Sequence, residues 1–249
     1  MSFKDHFSER SSEYARARPT YPDELFETLA RLAPTHGAVW DVGTGNGQAA
    51  LGLAKQFDAV LATDASAAQL AEAPPHPRVT YRQGDESASG LPDRSVVLVT
   101  VAQAAHWFDL ERFYREVFRV LKPEGVLAMW CYGMCRIAPE IDPLLSHFYH
   151  DIVGPFWPPE RRQVETEYRD LEFPFPELPF PQLAMQLEWT LADLIAYLRT
   201  WSAVQGYQKS ERRDPVPAAA SGLGRVWGDP DHPRLIRWPL SGRIGRLPS

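Results

Sequence analysis

The sequence predicts an α/β fold, a doubly wound, mainly parallel seven-stranded sheet with helices on both faces, an N-terminal helical arm and an inserted cover. Three observations carry this. From about residue 39 onward short apolar runs alternate with helical patterns, the signature of successive βαβ units. One of those runs, Val39-Trp40-Asp41-Val42, ends in glycines at alternate positions, Gly43, Gly45 and Gly47. After Cys135 the alternation gives way to a stretch dense in prolines and aromatics.

Each element has a local cause. Tyr21-Pro22-Asp23 opens a helix, with proline at the start, where its missing N–H costs nothing, and Leu25, Phe26, Leu29 and Leu32 as the apolar stripe. Strands are expected at 38–42, 59–63, 79–82, 96–101 and 126–131, each an apolar run bounded by turn or polar residues. A helix over 47–57 has Leu51, Leu53, Ala54 and Phe57 on one face, and a helix over 110–121 has Phe113, Val117, Val120 and Leu121. The second stops at a turn, Lys122-Pro123-Glu124-Gly125. Residues 136–182 read as a cover with one or two helices, because Phe148, Tyr149, Phe156, Trp157, Phe173, Phe175 and Phe180 are too apolar for a solvated linker. A strand at 183–191, an amphipathic helix at 193–204 and an arginine-rich strand or hairpin at 234–247 complete the sheet. The 249 residues thus form one domain: an arm (1–35), a core (36–135), the cover (136–182) and the C-terminal part of the sheet (183–249).

Composition narrows the function. Twenty-six basic against 32 acidic residues leave a net charge of −6, the wrong sign for a protein that gains affinity by neutralising phosphates. Two cysteines are too few for a disulfide-built scaffold and fit a reducing cytoplasm. The longest apolar stretch, 96–105, is interrupted by Thr100 and Gln103 and falls well short of the roughly 20 residues that span a bilayer, so no membrane insertion is expected.

The chemistry lies in the glycine loop, spaced D-x-G-x-G-x-G from Asp41 to Gly47. A nicotinamide-binding fingerprint places its third glycine where this chain has Gln48, and a triphosphate-binding loop needs a Gly-Lys-Ser/Thr ending that is missing. What is left is a tight strand-to-helix turn that admits a ligand against bare backbone. With Asp64 ending the second strand and Gly84-Asp85-Glu86 following the third, the chain resembles the class I S-adenosylmethionine-dependent methyltransferases. Leu91-Pro92-Asp93-Arg94-Ser95, the 102–109 segment with His106-Trp107, and Phe118 to Gly125 resemble a small-molecule subgroup akin to the trans-aconitate and ubiquinone-biosynthesis enzymes.

The resemblance implies a cofactor, S-adenosyl-L-methionine, and assigns residues to it. The loop residues Asp41, Gly43, Thr44, Gly45 and Gly47 would meet its methionine and ribose portion. Asp64, with Ala65 beside it, would accept from the ribose hydroxyls, and Asp85 or Glu86 from the adenine amino group. Gln103, His106 and Trp107 would line the carboxyl edge after the fourth strand, and Tyr14 and Arg18 would reach over from the arm. The implied activity is methyl transfer to a small-molecule acceptor, a carboxylate or another oxygen, nitrogen or carbon nucleophile, with His106 and Tyr14 as candidate bases and no metal. The family often has an acid where this chain has Val97, which bears on the solvation of that strand.

Bland readings accompany each residue. Asp64 would also serve as a helix N-cap, Asp85 and Glu86 as a solvated turn, His106 and Trp107 as packing residues, and the aromatic cover as core. Cys131 and Cys135 lack the histidines or second pair of a metal site. The arginines at 225, 234, 237, 243 and 246 are interrupted by aspartates. A nicotinamide oxidoreductase, an RNA methyltransferase and a non-catalytic binding module stay open beside the main reading.

Overall fold

Pro22 precedes helix α1 (Asp23–Leu32), which buries Leu25, Phe26 and Leu29 and leads into the sheet. The computed structural model describes residues 19–249. Tyr14 and Arg18, expected over the cofactor, lie outside them. The central strand β1 (Ala38–Val42) has the parallel partners β2 (Ala59–Asp64) on one side and β4 (Val96–Ala102) on the other. β3 (Val79–Gln83) extends the first side and β5 (Leu121–Tyr132) the second, both in parallel. The chain order therefore reverses direction at β1, and the crevice above the carboxyl ends of β1 and β4 is where open α/β sheets take ligands.

Helix α2 (Gln48–Leu53) follows β1, α3 (Ala67–Ala71) follows β2, and α4 (Leu110–Val120) joins β4 to β5. The expected helix over 47–57 is shorter because Gly47 stands outside it at φ +85° and residues 54–57 close as tight turns. The turn expected at Lys122-Pro123-Glu124-Gly125 is instead absorbed into the start of β5, where the register against β4 slips between Val96 and Leu98. Apolar side chains fill both faces of the sheet, with Trp130, Phe57 and Leu98 on one and Trp40, Val99, Phe113 and Met129 on the other. Val97 is fully buried in this packing, so the missing acid leaves β4 dry along its length.

The cover holds α5 (Asp142–His147), which runs into a π-helical turn (Phe148–Ile152), and α6 (Arg161–Glu165). It ends in β6 (Glu177–Leu178), the strand that makes the sheet eight-stranded rather than the seven expected. Two residues between Pro176 and Pro179 are too few to display a strand's alternation. β7 (Ala184–Trp189) and the long β8 (Arg234–Arg246) follow, with three helices between them. The single helix expected at 193–204 is two, α7 (Leu191–Arg199) and α8 (Ser202–Glu211), broken at Thr200-Trp201; α9 (Val216–Trp227) was not anticipated. β8 pairs antiparallel with β7 over 234–239, with β5 over 240–246 and with β6 near its end, giving the order β3-β2-β1-β4-β5-β8-β6. Among the described residues no helix is long and apolar enough to cross a membrane.

Candidate functional site

The three glycines of the loop serve different ends. Gly43, Gly45 and Gly47 all have left-handed backbone, φ +66°, +57° and +85°, which other residues adopt only under strain. At Gly43 a β-carbon would fall 2.6 Å from Ala104 Cβ, and at Gly47 it would fall 2.4 Å from the Tyr81 hydroxyl, so both are fixed by packing. At Gly45 the only atom of the described residues that would meet a β-carbon is Gln69 Oε1, 3.7 Å away, so among them this is where the loop presents open backbone.

Two acids brace the loop. Asp41 is fully buried, and its two oxygens accept from the hydroxyls of Thr44 (2.6 Å) and Thr100 (2.7 Å), tying the loop and β4 to the end of β1. Burial pushes its carboxyl up to about 6 against the pull of those two hydrogen bonds, and the nearby Asp64 charge adds to the rise. Thr44 itself is buried and its N–H donates to Thr63, so its part is to lock the loop. Asp64 ends β2, with one oxygen accepting from Gly45 N–H and the other from Ser66 N–H, both at 2.8 Å. The capping role belongs to Ser66, whose hydroxyl accepts from Gln69 N–H at the start of α3. Beside them, the Ala65 carbonyl accepts from the Gln83 amide.

The remaining expected residues gather along the same edge. Asp85 is exposed and accepts from the N–H and hydroxyl of Ser87, whereas Glu86 accepts from Asp109 N–H at the cap of α4. Gln103, at φ +57°, donates to the Tyr132 carbonyl and accepts from the Tyr132 N–H, both at 2.9 Å, which carries the β4–β5 ladder past its last residues. His106 sits on the 3₁₀ turn after β4 with Nδ1 3.0 Å from the Tyr168 hydroxyl. Desolvation and the nearby Arg161 charge lower its imidazole to about 3, so it is neutral at pH 7. Burial raises Tyr168 well above an ordinary phenol, so its hydroxyl keeps its proton and can donate to Nδ1, leaving the imidazole proton on Nε2. Trp107 is 38% exposed beside it, and its ring lies 4.8 Å from the His106 ring.

Residues 40–129 match the family described as a methyltransferase domain. A solved structure assigned as a type II methyltransferase from Anaeromyxobacter dehalogenans superposes with a TM-score of 0.89 at 44% identity, covering 93% of this chain and 99% of that one. A Saccharomyces cerevisiae protein assigned as an S-adenosylmethionine-dependent methyltransferase is 28% identical over 172 residues, 64% of this chain and 59% of its own. A Dictyostelium discoideum protein assigned as a methyltransferase is 33% identical over 233 residues, 92% of this chain and 89% of its own. The chain belongs to the class I S-adenosylmethionine-dependent methyltransferases.

The residues of this methyltransferase fit its cofactor. The flank of Gly45 that is open among the described residues lies beside the Asp64 carboxylate, which accepts from the Gly45 and Ser66 N–H groups and is so held at the end of β2. The Tyr81 hydroxyl, buried against Gly47, has no hydrogen-bond partner among the described residues. Tyr81 was missed because a tyrosine in a short strand carries no signal beyond β-propensity. Tyr168 and Arg161 were missed too, since an irregular, proline-rich cover gives no register by which to aim a side chain. Backbone geometry marks Tyr168: it and Glu167 stand at φ +61° and +58°, an uncommon conformation for residues with side chains. Cys131 and Cys135 are buried free thiols that desolvation pushes up to about 12, which keeps them protonated.

Proposed function

We propose that this methyltransferase acts on a small organic acceptor bound between the carboxyl edge of the sheet and the aromatic cover. The observation that carries the reading is the aromatic cover, tied to that edge by the contact between Tyr168 and His106. Tyr149, Trp157 and Trp201 pack ring against ring, with centroids 5.0 to 5.7 Å apart, and Tyr168 reaches from the cover to His106. Such walls suit a small, partly apolar molecule. The likeness to the small-molecule subgroup supports the same acceptor class. The tail arginines are largely engaged internally: Arg234 binds Glu140 and the Trp227 carbonyl, Arg243 binds Glu177, and Arg246 donates to the Leu32 carbonyl. That use, with the net charge of −6, speaks against an RNA acceptor.

Within this reading Asp64 takes the ribose hydroxyls, the Gly45 backbone faces the cofactor, and Asp85 faces the adenine, since Glu86 is spent on α4. Asp41 and Thr44 hold the loop. S-adenosylmethionine supplies a methyl group already activated by a positive sulfonium. The protein's share is then to align acceptor and methyl and to exclude water. His106 is neutral and weakly basic, so we assign it to positioning through Tyr168 rather than to proton removal. The 136–182 cover, with α7 to α9 behind it, forms the acceptor wall of a single domain.

Calorimetric titration with S-adenosylhomocysteine tests the cofactor half. Wild type should bind saturably, Asp64→Ala at least tenfold more weakly, and NADH should not bind to either. A folded wild type that ignores S-adenosylhomocysteine would defeat the reading, and RNA binding with a steep salt dependence would move the acceptor to nucleic acid.

A further inference from the structure

The cover carries a guanidinium, that of Arg161, into its aromatic interior without an ion pair to any acid of the described residues. Arg119, Arg199, Arg234 and Arg243 each pair with a carboxylate. Half-buried Arg161, at the start of α6, has no carboxylate of the described residues within 4.0 Å. Its Nε donates to the Tyr149 hydroxyl at 2.9 Å, and its guanidinium lies 4.8 Å from the Trp157 ring centre and 5.8 Å from that of Tyr149. Glu165, one turn along α6, interacts with the Tyr149 hydroxyl rather than with the guanidinium. One of five N–H groups is therefore satisfied, and the four on the two Nη atoms make no hydrogen bond with the described residues.

The place of this charge matters as much as its isolation. It adds to the desolvation that lowers the His106 imidazole on the turn after β4 and pulls against the desolvation that raises the Cys131 thiol in β5, and Tyr197 on α7 and Tyr132 at the end of β5 are within its electrostatic reach. Arg161 thus stands over the carboxyl end of β5, between sheet and cover, with neutral groups facing it from every one of those elements. A partly desolvated cation needs compensation, and the rings supply only part of it. The two free Nη edges form the planar fork that a carboxylate meets with two parallel hydrogen bonds.

We propose that Arg161 anchors an acidic acceptor, a small molecule whose carboxylate is gripped by the guanidinium fork and whose apolar body lies against Trp157, the half-buried member of the Tyr149–Trp157–Trp201 cluster. The proposal rests on the small-molecule methyltransferase reading and names the class of that acceptor. One positive charge matches a monoanion; a phosphate monoester, with nearly two negative charges at neutral pH, would leave one uncompensated.

The test titrates the full chain, saturated with S-adenosylhomocysteine, with benzoate, phenylacetate and 3-phenylpropionate, each beside its neutral amide, and with phenyl phosphate. At least one acid should bind tenfold or more tightly than its amide and more tightly than phenyl phosphate. In Arg161→Gln that preference should vanish, with amide and S-adenosylhomocysteine binding unchanged; Arg161→Lys should keep part of it. A panel in which no acid outbinds its amide overturns the proposal, as does tightest binding by phenyl phosphate or an Arg161→Gln protein that retains the preference. The wild-type acid and amide comparison stands without any variant, should one fail to fold. Loss of S-adenosylhomocysteine binding by the wild type is a separate result, which removes the underlying reading and this proposal with it.

Discussion

Asp41 is an acid that folding deprives of water, and the cost has a definite pH signature. The folded protein holds its proton up to about pH 6, whereas an ordinary aspartate releases it near 3.8. That difference is worth roughly 3 kcal/mol in favour of the neutral form. The native state therefore binds more protons than the unfolded chain between about pH 4 and 6, and this contribution to stability falls as pH rises through that window. Asp41→Asn should flatten the fall, read as the change in urea-unfolding free energy between pH 4 and 7; identical pH slopes for the two proteins would disprove it. His106 carries the opposite expectation, an absence of titration. With its imidazole at about 3, methyl transfer should show no inflection near pH 6.5. An inflection there that disappears in His106→Gln would restore it as a base. Tyr81 gives a third expectation, because its buried hydroxyl has no partner among the described residues, and an unpaired buried hydroxyl costs about 1–3 kcal/mol. Tyr81→Phe should unfold at a higher temperature than wild type when no cofactor is present, and a lower unfolding temperature would mean the hydroxyl is satisfied.

At the scale of elements, one buried carboxylate ties α4 to the loop after β3. Glu116, 8% exposed, accepts from the N–H (2.8 Å) and hydroxyl of Ser89 and from two nitrogens of Arg119, and these bonds outweigh burial to hold its carboxyl below the usual range. Glu116→Ala should cost about 3 kcal/mol in urea unfolding, much of it from leaving Arg119 and Ser89 without their acceptor. None of this was visible in the sequence, where Glu116 reads as one more polar residue on an amphipathic helix. The parallel strands were visible, because β1 and β4 are buried on both faces and read as apolar runs broken only by Asp41 and Thr100. The glycine loop and Asp64 were visible for a related reason: backbone conformation and strand ends leave marks in residue type. The cover was legible only as a composition. Where Tyr168 and Arg161 point is set by a π-helical turn, a one-turn helix and two left-handed residues, and no periodicity encodes these.

Across the whole molecule, β8 is the part on which both halves depend. It joins β5 of the cofactor half to β7, and β7 leads into the helices behind the cover. At Gly242 a β-carbon would fall 2.3 Å from the Met129 carbonyl, so β8 and β5 meet too closely for any side chain there. Gly242→Ala should therefore destabilise the protein by about 3 kcal/mol, or roughly 6–12 °C in Tm, as measured by calorimetry. The distribution of the eight tryptophans follows from the same architecture. Trp40, Trp130, Trp201, Trp227 and Trp238 are buried, whereas Trp107 is exposed at the sheet edge, Trp157 lies half-buried beneath Arg161, and Trp189 is half-buried at the end of β7. Emission from the buried indoles and from Trp189 forms a background, and in the proposed reading Trp107 and Trp157 flank the space where cofactor and acceptor would meet. Occupancy of that space is thus written into the protein's own fluorescence. An acrylamide quenching titration would read it without a label, as the loss of the quenchable fraction when a ligand closes over Trp107.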